Sequence, residues 1–123
     1  GDIEPPTAAI ASLALAIEAC NPAAALIEDP ATGRVREEVR CERVLSLVLE
    51  CTVPLARLTE ALTVLRRTCA NLPTVCSVGL VSVVGPDCTL PVLPALAALG
   101  LAVSPRGKVN LGFATGNGTG ETP

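Results

Sequence analysis

TVPLARLTEALTVLRRTC, residues 52–69, is the stretch on which the fold turns. Leu55, Leu58, Leu62, Leu65 and Cys69 recur at steps of three, four, three and four, the spacing that lines up side chains along one face of an α-helix. Arg57, Glu60, Arg66 and Arg67 fall off that stripe, so the opposite face is wet. Pro54 suits a helix start, where its missing N–H costs nothing. The stretch predicts an amphipathic helix, and with it a mainly α domain.

Upstream, the same grammar continues. In TAAIASLALAIEAC, residues 7–20, Ile10, Leu13, Ile17 and Cys20 share one helical face, predicting a helix from Thr7 to Cys20. Asn21-Pro22 offers an N-cap followed by proline at the first helical position, so AAALIE is expected to carry a short second helix, ended by Asp29-Pro30 and Gly33. RVREEVRCER, residues 34–43, holds seven charged side chains, with Glu37/Arg40 and Arg34/Glu38 at spacings that pair on a helix surface. We take residues 35–50 as a helix. The rival reading makes VLSLVLEC a buried strand, since Leu45, Leu47, Leu49 and Cys51 alternate as strand residues do.

Downstream of Asn71 the text is punctuated by Pro73, Gly79, Gly85, Pro86, Pro91, Pro94, Gly100 and Pro105. VGLVSVV (78–84) and KVNLGFA (108–114) are expected as strands, and PALAALGLAV (94–103) as a short helix capped near Gly100. The fold class is thus mainly α with minor β: a small disulfide-stapled helical domain with a Pro/Gly-punctuated apolar C-terminal third. One domain over residues 1–114 and a flexible tail at 115–123 are expected, with no internal repeat. No Pro-free apolar run reaches the roughly 18 residues a transmembrane helix needs.

Composition narrows the functions. The 123 residues are 50% hydrophobic and 17% charged, against about 25% charged in ordinary soluble domains. The apolar residues are almost all Ala, Leu, Val and Ile, with Phe113 the sole aromatic. A net charge of -3 and the lack of aromatic platforms argue against nucleic acid. With no histidine and no G-x-S-x-G elbow, no catalytic residue, metal or cofactor is expected; Glu37, Glu38 and Glu42 lie among arginines on an expected solvent face. The six cysteines, Cys20, Cys41, Cys51, Cys69, Cys76 and Cys88, show no C-x-x-C spacing and read as three disulfides of a secreted protein. Their pairing stays open, except that a straight helix over 36–50 would hold Cys41 and Cys51 roughly 15 Å apart, beyond disulfide reach. No basic leader precedes Gly1, so an exported chain is expected in its mature form. Asn117-Gly118-Thr119 matches the N-glycosylation pattern.

Charge divides the chain. Residues 1–67 hold ten acidic and seven basic groups, whereas residues 68–105 hold only Asp87. Within that window, TVCSVGLVSVVGPDC (74–88) resembles the closing portion of fungal hydrophobins, small secreted amphiphiles, and the spacing of Cys51, Cys69, Cys76 and Cys88 is compatible with that family. The chain departs from the hydrophobin pattern in having six cysteines rather than eight, with Ser77 where the second member of an adjacent pair belongs.

The apolar surplus leads us to expect a secreted, non-enzymatic amphiphile, surface-active or self-assembling at hydrophobic/hydrophilic interfaces. The residues that would face the interface, line a cavity or else fill the domain's own core are Val78, Leu80, Val81, Val83, Val84, Leu90, Val92, Leu93, Leu96, Leu99, Leu101 and Val103. An alternative is a carrier enclosing a lipid, sterol or other apolar small molecule in a helical-bundle cavity, with Arg66, Arg67 or Arg106 at its mouth. A further alternative is a structural module docking onto a partner protein through the same patch.

Overall fold

A computed structural model describes residues 3–40, 42 and 46–103. Of these, 41% are helical and 7% are in strand, so the chain is mainly α with minor β. It packs as two compact units, residues 1–75 and 76–123; the tail expected at 115–123 lies outside the described residues.

In the first unit, helix α1 (Glu4–Ser12) opens with Pro5 and Pro6 in its first turn, where no intrahelical donor is needed. A 3-10 helix (Pro22–Leu26) leads into a hairpin of β1 (Ile27–Asp29) and β2 (Arg34–Val35), paired antiparallel. A single turn, α2 (Glu37–Arg40), follows. After a 3-10 turn at Leu55–Arg57 comes α3 (Leu58–Ala70). Helices α1 and α3 pack together, and β2 packs on α1. Ile10 and Leu13 are buried with Leu58, Ala61 and Leu62, each large one worth roughly 1.5–3 kcal/mol.

The hairpin approaches α1 closely because Gly33 has no side chain. A Cβ there would lie 2.3 Å from the Thr7 carbonyl oxygen, and φ of +75° is left-handed backbone that favours glycine. The buried Thr7 hydroxyl donates to the Gly33 carbonyl, tying helix to hairpin. Asp29 closes the turn, accepting from the Ala31 N–H at 3.0 Å and the Thr32 hydroxyl at 2.8 Å.

The helix read from residues 52–69 is present, and its stripe is buried at Leu58 and Leu62, half-buried at Leu65 and Cys69, and exposed at Leu55. Asn21 caps as expected, its side chain accepting from Ala23 N–H at 2.9 Å, although the turn it starts is 3-10. Two expectations are corrected. The first helix ends at Ser12 rather than Cys20: Ala14 adopts φ of 51°, and the Arg57 guanidinium donates to the Leu13 carbonyl at 2.6 Å. The helix expected over 35–50 is replaced by β2, α2 and an extended run at 46–51, in which Leu47, Leu49 and Cys51 are half-buried and Ser46, Val48 and Glu50 exposed. That is the alternation of the rival strand reading. A tertiary partner decides it, since Ile17 bridges Cys51, Glu18 N–H donates to Glu50 O at 2.8 Å, and the buried Asn21 amide donates to the Glu50 carboxylate at 2.8 Å. The ground for excluding a Cys41–Cys51 pair falls with that helix; Cys41 lies outside the described residues.

In the second unit, residues 78–84 form no strand among the described residues. Helix α4 (Leu93–Ala98) ends as expected at Gly100, with φ of +67°. Gly100 N–H donates to Ala97 O at 3.0 Å and Leu101 N–H to Leu96 O at 2.9 Å, the paired bonds of a Schellman stop. The strand expected at 108–114 lies outside the described residues.

Candidate interfacial surface

The apolar side chains of the second unit are arranged by backbone geometry. From Cys76 to Val83 exposure alternates residue by residue: Cys76, Val78, Leu80 and Ser82 are half-buried, while Ser77, Gly79, Val81 and Val83 are exposed. Extended backbone does this because successive side chains point to opposite sides. Val81 and Val83 therefore share one side, and are 98% and 84% exposed. Val84 is exposed as well, and Val75, just before the run, is 97% exposed. Among the described residues, no backbone group from Thr74 to Val84 bonds to another backbone group.

The run stops at a closed turn. Gly85 N–H donates to Thr89 O at 2.8 Å, and Asp87 accepts from the Thr89 hydroxyl at 2.6 Å. The Thr89 hydroxyl and N–H hold the Asp87 carboxyl below its ordinary value. Beyond the turn Leu93 is exposed, Leu90, Val92, Leu99, Leu101 and Val103 are half-buried, and Leu96 is buried at 3% exposure. Of the twelve predicted surface residues, Val81, Val83, Val84 and Leu93 thus stand in solvent, and Leu96 is the one enclosed. Val75 was not among them, although it belongs to the same β-branched run.

Cys20 and Cys88 are exposed, and Cys51, Cys69 and Cys76 half-buried. Burial pushes the Cys51 thiol up. One cysteine pair stands at 3.8 Å, and among the described residues no disulfide is shown. The acidic run on and after α2 is ion-paired and solvated: Glu37 meets Arg40 at 3.0 Å, as its spacing predicts, Glu38 meets Arg36 at 4.0 Å, and Glu42 is exposed. Arg34 pairs with Glu28 across the hairpin rather than with Glu38. Among the described residues no three Cys, Asp or Glu side chains gather as metal ligands, and no helix is long and apolar enough to cross a membrane. Arg106 and Asn117 lie outside the described residues.

An open groove of about 460 Å³ lies between α1 and α3, with Pro5, Ala8, Ala9, Val64 and Leu72 supplying its apolar lining and Ser12, Arg67, Thr68 and Asn71 its polar one. Sequence reasoning did not find this groove: it set Arg66, Arg67 or Arg106 at the mouth of a cavity walled by the C-terminal apolar window, whereas the groove is lined by residues of α1, α3 and the two positions Asn71 and Leu72. No protein-family model matches the chain, and no curated protein or solved structure is significantly similar to it.

Proposed function

We propose that the protein is a secreted, non-enzymatic amphiphile that adsorbs at hydrophobic/hydrophilic interfaces through the valine-bearing side of residues 75–84. The observation that carries this reading is the exposure of Val75, Val81 and Val83, at 97%, 98% and 84%, in a window whose only charge is Asp87. Taking each such side chain out of water is worth roughly 1.5–3 kcal/mol, and adsorption buries several together. Within that stretch of sequence Asp87 is the single charge that opposes the transfer. The likeness of residues 74–88 to the closing portion of hydrophobins points the same way. Three disulfides among the six cysteines would keep the chain folded while this side remains outside, and the 3.8 Å approach of one cysteine pair suits such a bond.

Surface tension measured against protein concentration tests the reading. The full chain should lower it strongly at micromolar levels, and the double substitution Val81→Lys/Val83→Lys should abolish most of that effect while the thermal midpoint stays put. Leu96→Lys would not serve, since Leu96 is buried and the charge would unfold the unit. Unchanged surface tension in the wild type overturns the proposal and turns attention to a partner protein that docks on the same side.

A further inference from the structure

The groove between α1 and α3 belongs to the first unit and has no part in the adsorption just described. Its floor is made small on purpose by sequence: Ala8 and Ala9 of α1 face Val64 of α3 and Leu72 beyond it, so the two helices leave a trough where bulkier residues would meet. The volume of about 460 Å³ falls within the roughly 300–1,000 Å³ of small-molecule sites. The alanine, valine and leucine part of the lining suits an aliphatic chain, and Ser12, Arg67, Thr68 and Asn71 make up the polar remainder.

The polar side is specific in charge. Of the six described arginines, Arg34, Arg36, Arg40 and Arg57 each meet a carboxylate within 4.0 Å, while Arg66 and Arg67 do not, and of these two only Arg67 lines the groove. Arg67, on the groove, makes no ion pair among the described residues. Thr68 beside it is likewise uncommitted. Thr63, on the same helix, donates its hydroxyl back to Thr59 O at 2.7 Å, whereas the Thr68 hydroxyl makes no hydrogen bond among the described residues. A guanidinium and a hydroxyl donor therefore stand at one side of an aliphatic trough, and a carboxylate is the group that matches both.

We infer that the α1/α3 groove binds a single-chain fatty carboxylate, its alkyl chain over Ala8, Ala9, Val64 and Leu72 and its carboxylate on Arg67 and Thr68. The cation supplies selectivity and the trough supplies affinity. Because the groove is open and Arg67 is exposed, the charge contribution is screened by salt, and binding should weaken as ionic strength rises.

Amide shifts of the isotopically labelled full chain, titrated with decanoate below its micelle concentration and separately with decanol, test this. Decanoate should shift residues 7–12 and 64–72. Arg67→Gln should weaken decanoate about tenfold and leave decanol unaffected, as expected for loss of one charge-assisted contact. Ala8→Leu, which fills the floor, should weaken both ligands. Equal binding of decanoate and decanol by the wild type, or no shift at all, overturns the inference. Shifts confined to residues 75–101 also overturn it, and would assign the alkyl chain to the interfacial side instead, leaving the surface-tension result to stand by itself.

Discussion

Helix α3 and the run from Cys76 to Val84 are both rich in aliphatic residues, yet one hides them and the other does not. On α3 the apolar residues fall on one face at helical spacing, α1 covers that face, and Leu58 and Leu62 are almost wholly enclosed. On the valine run the apolar residues fall on both sides of extended backbone, so even when one side is half-covered the other stays in water. Aliphatic content alone does not say where a residue ends up. The angle between successive side chains, about 100° in a helix and 180° in a strand, decides how many of them a single neighbouring surface can cover.

The contrast is broken or sharpened most strongly by a matched pair of truncations. Leu62→Ala should cost about 2–5 kcal/mol in urea unfolding, because it opens a void between α1 and α3, whereas Val81→Ala should change stability by less than about 0.5 kcal/mol. Similar costs at the two positions would mean that the valine side is covered after all.

A smaller effect is expected where the first helix stops. Ala14 occupies the left-handed position after α1, where the pair of bonds seen at Gly100 and Leu101 after α4 recurs: Ala14 N–H donates to Ala11 O at 2.8 Å and Leu15 N–H to Ile10 O at 3.2 Å. An alanine there carries a Cβ penalty that glycine escapes, so Ala14→Gly should raise stability by about 0.5–1 kcal/mol, read as an upward shift of the unfolding midpoint. The equivalent change in the second unit is already in place at Gly100.

The smallest effect is one of pH. Asp87 is held below the ordinary 3.8 first by the Thr89 hydroxyl and then by its N–H. A carboxyl lowered in the folded state contributes above the unfolded value and loses that contribution as pH falls through the lower, folded one. The turn at 85–89 should therefore be unchanged from pH 8 to pH 5 and loosen only in acid below about pH 4, seen as movement of the Thr89 amide resonance. Asp29, which its Thr32 and Ala31 partners lower in the same sense, should act alike in the hairpin of the first unit. Loosening of either turn near neutral pH would remove the carboxylate from its part in closing it.

Much of the molecule is legible in its text. The stripe of Leu58 and Leu62, the Asn21-Pro22 cap, the Glu37/Arg40 pair and the glycine stop at 100 each follow from two to five neighbouring residues, because helix periods, caps and ion pairs one turn apart are local chemistry. The exposed valines were legible as a surplus, but not as a side, since which of Val78, Leu80, Val81 and Val83 faces water depends on where the run is touched.

Three features were not settled by local signals. Residues 12–16, SLALA, contain nothing that stops a helix, and α1 ends there because the chain must turn to bring Ile17 and Glu18 beside Glu50 and Cys51. Residues 46–51 fit helix and strand alike, and the hydrogen bonds from Glu18 and Asn21 choose the extended form. Gly33 reads as a breaker, while its stricter requirement is the Thr7 carbonyl lying where a side chain would go. The amino-acid sequence by itself determined a mainly α chain with an aliphatic window that carries a single charge. Tertiary structure decided where helices end, which period an ambiguous stretch obeys, and that α1 and α3 leave a trough beside Arg67, because each depends on groups far apart along the chain meeting in space.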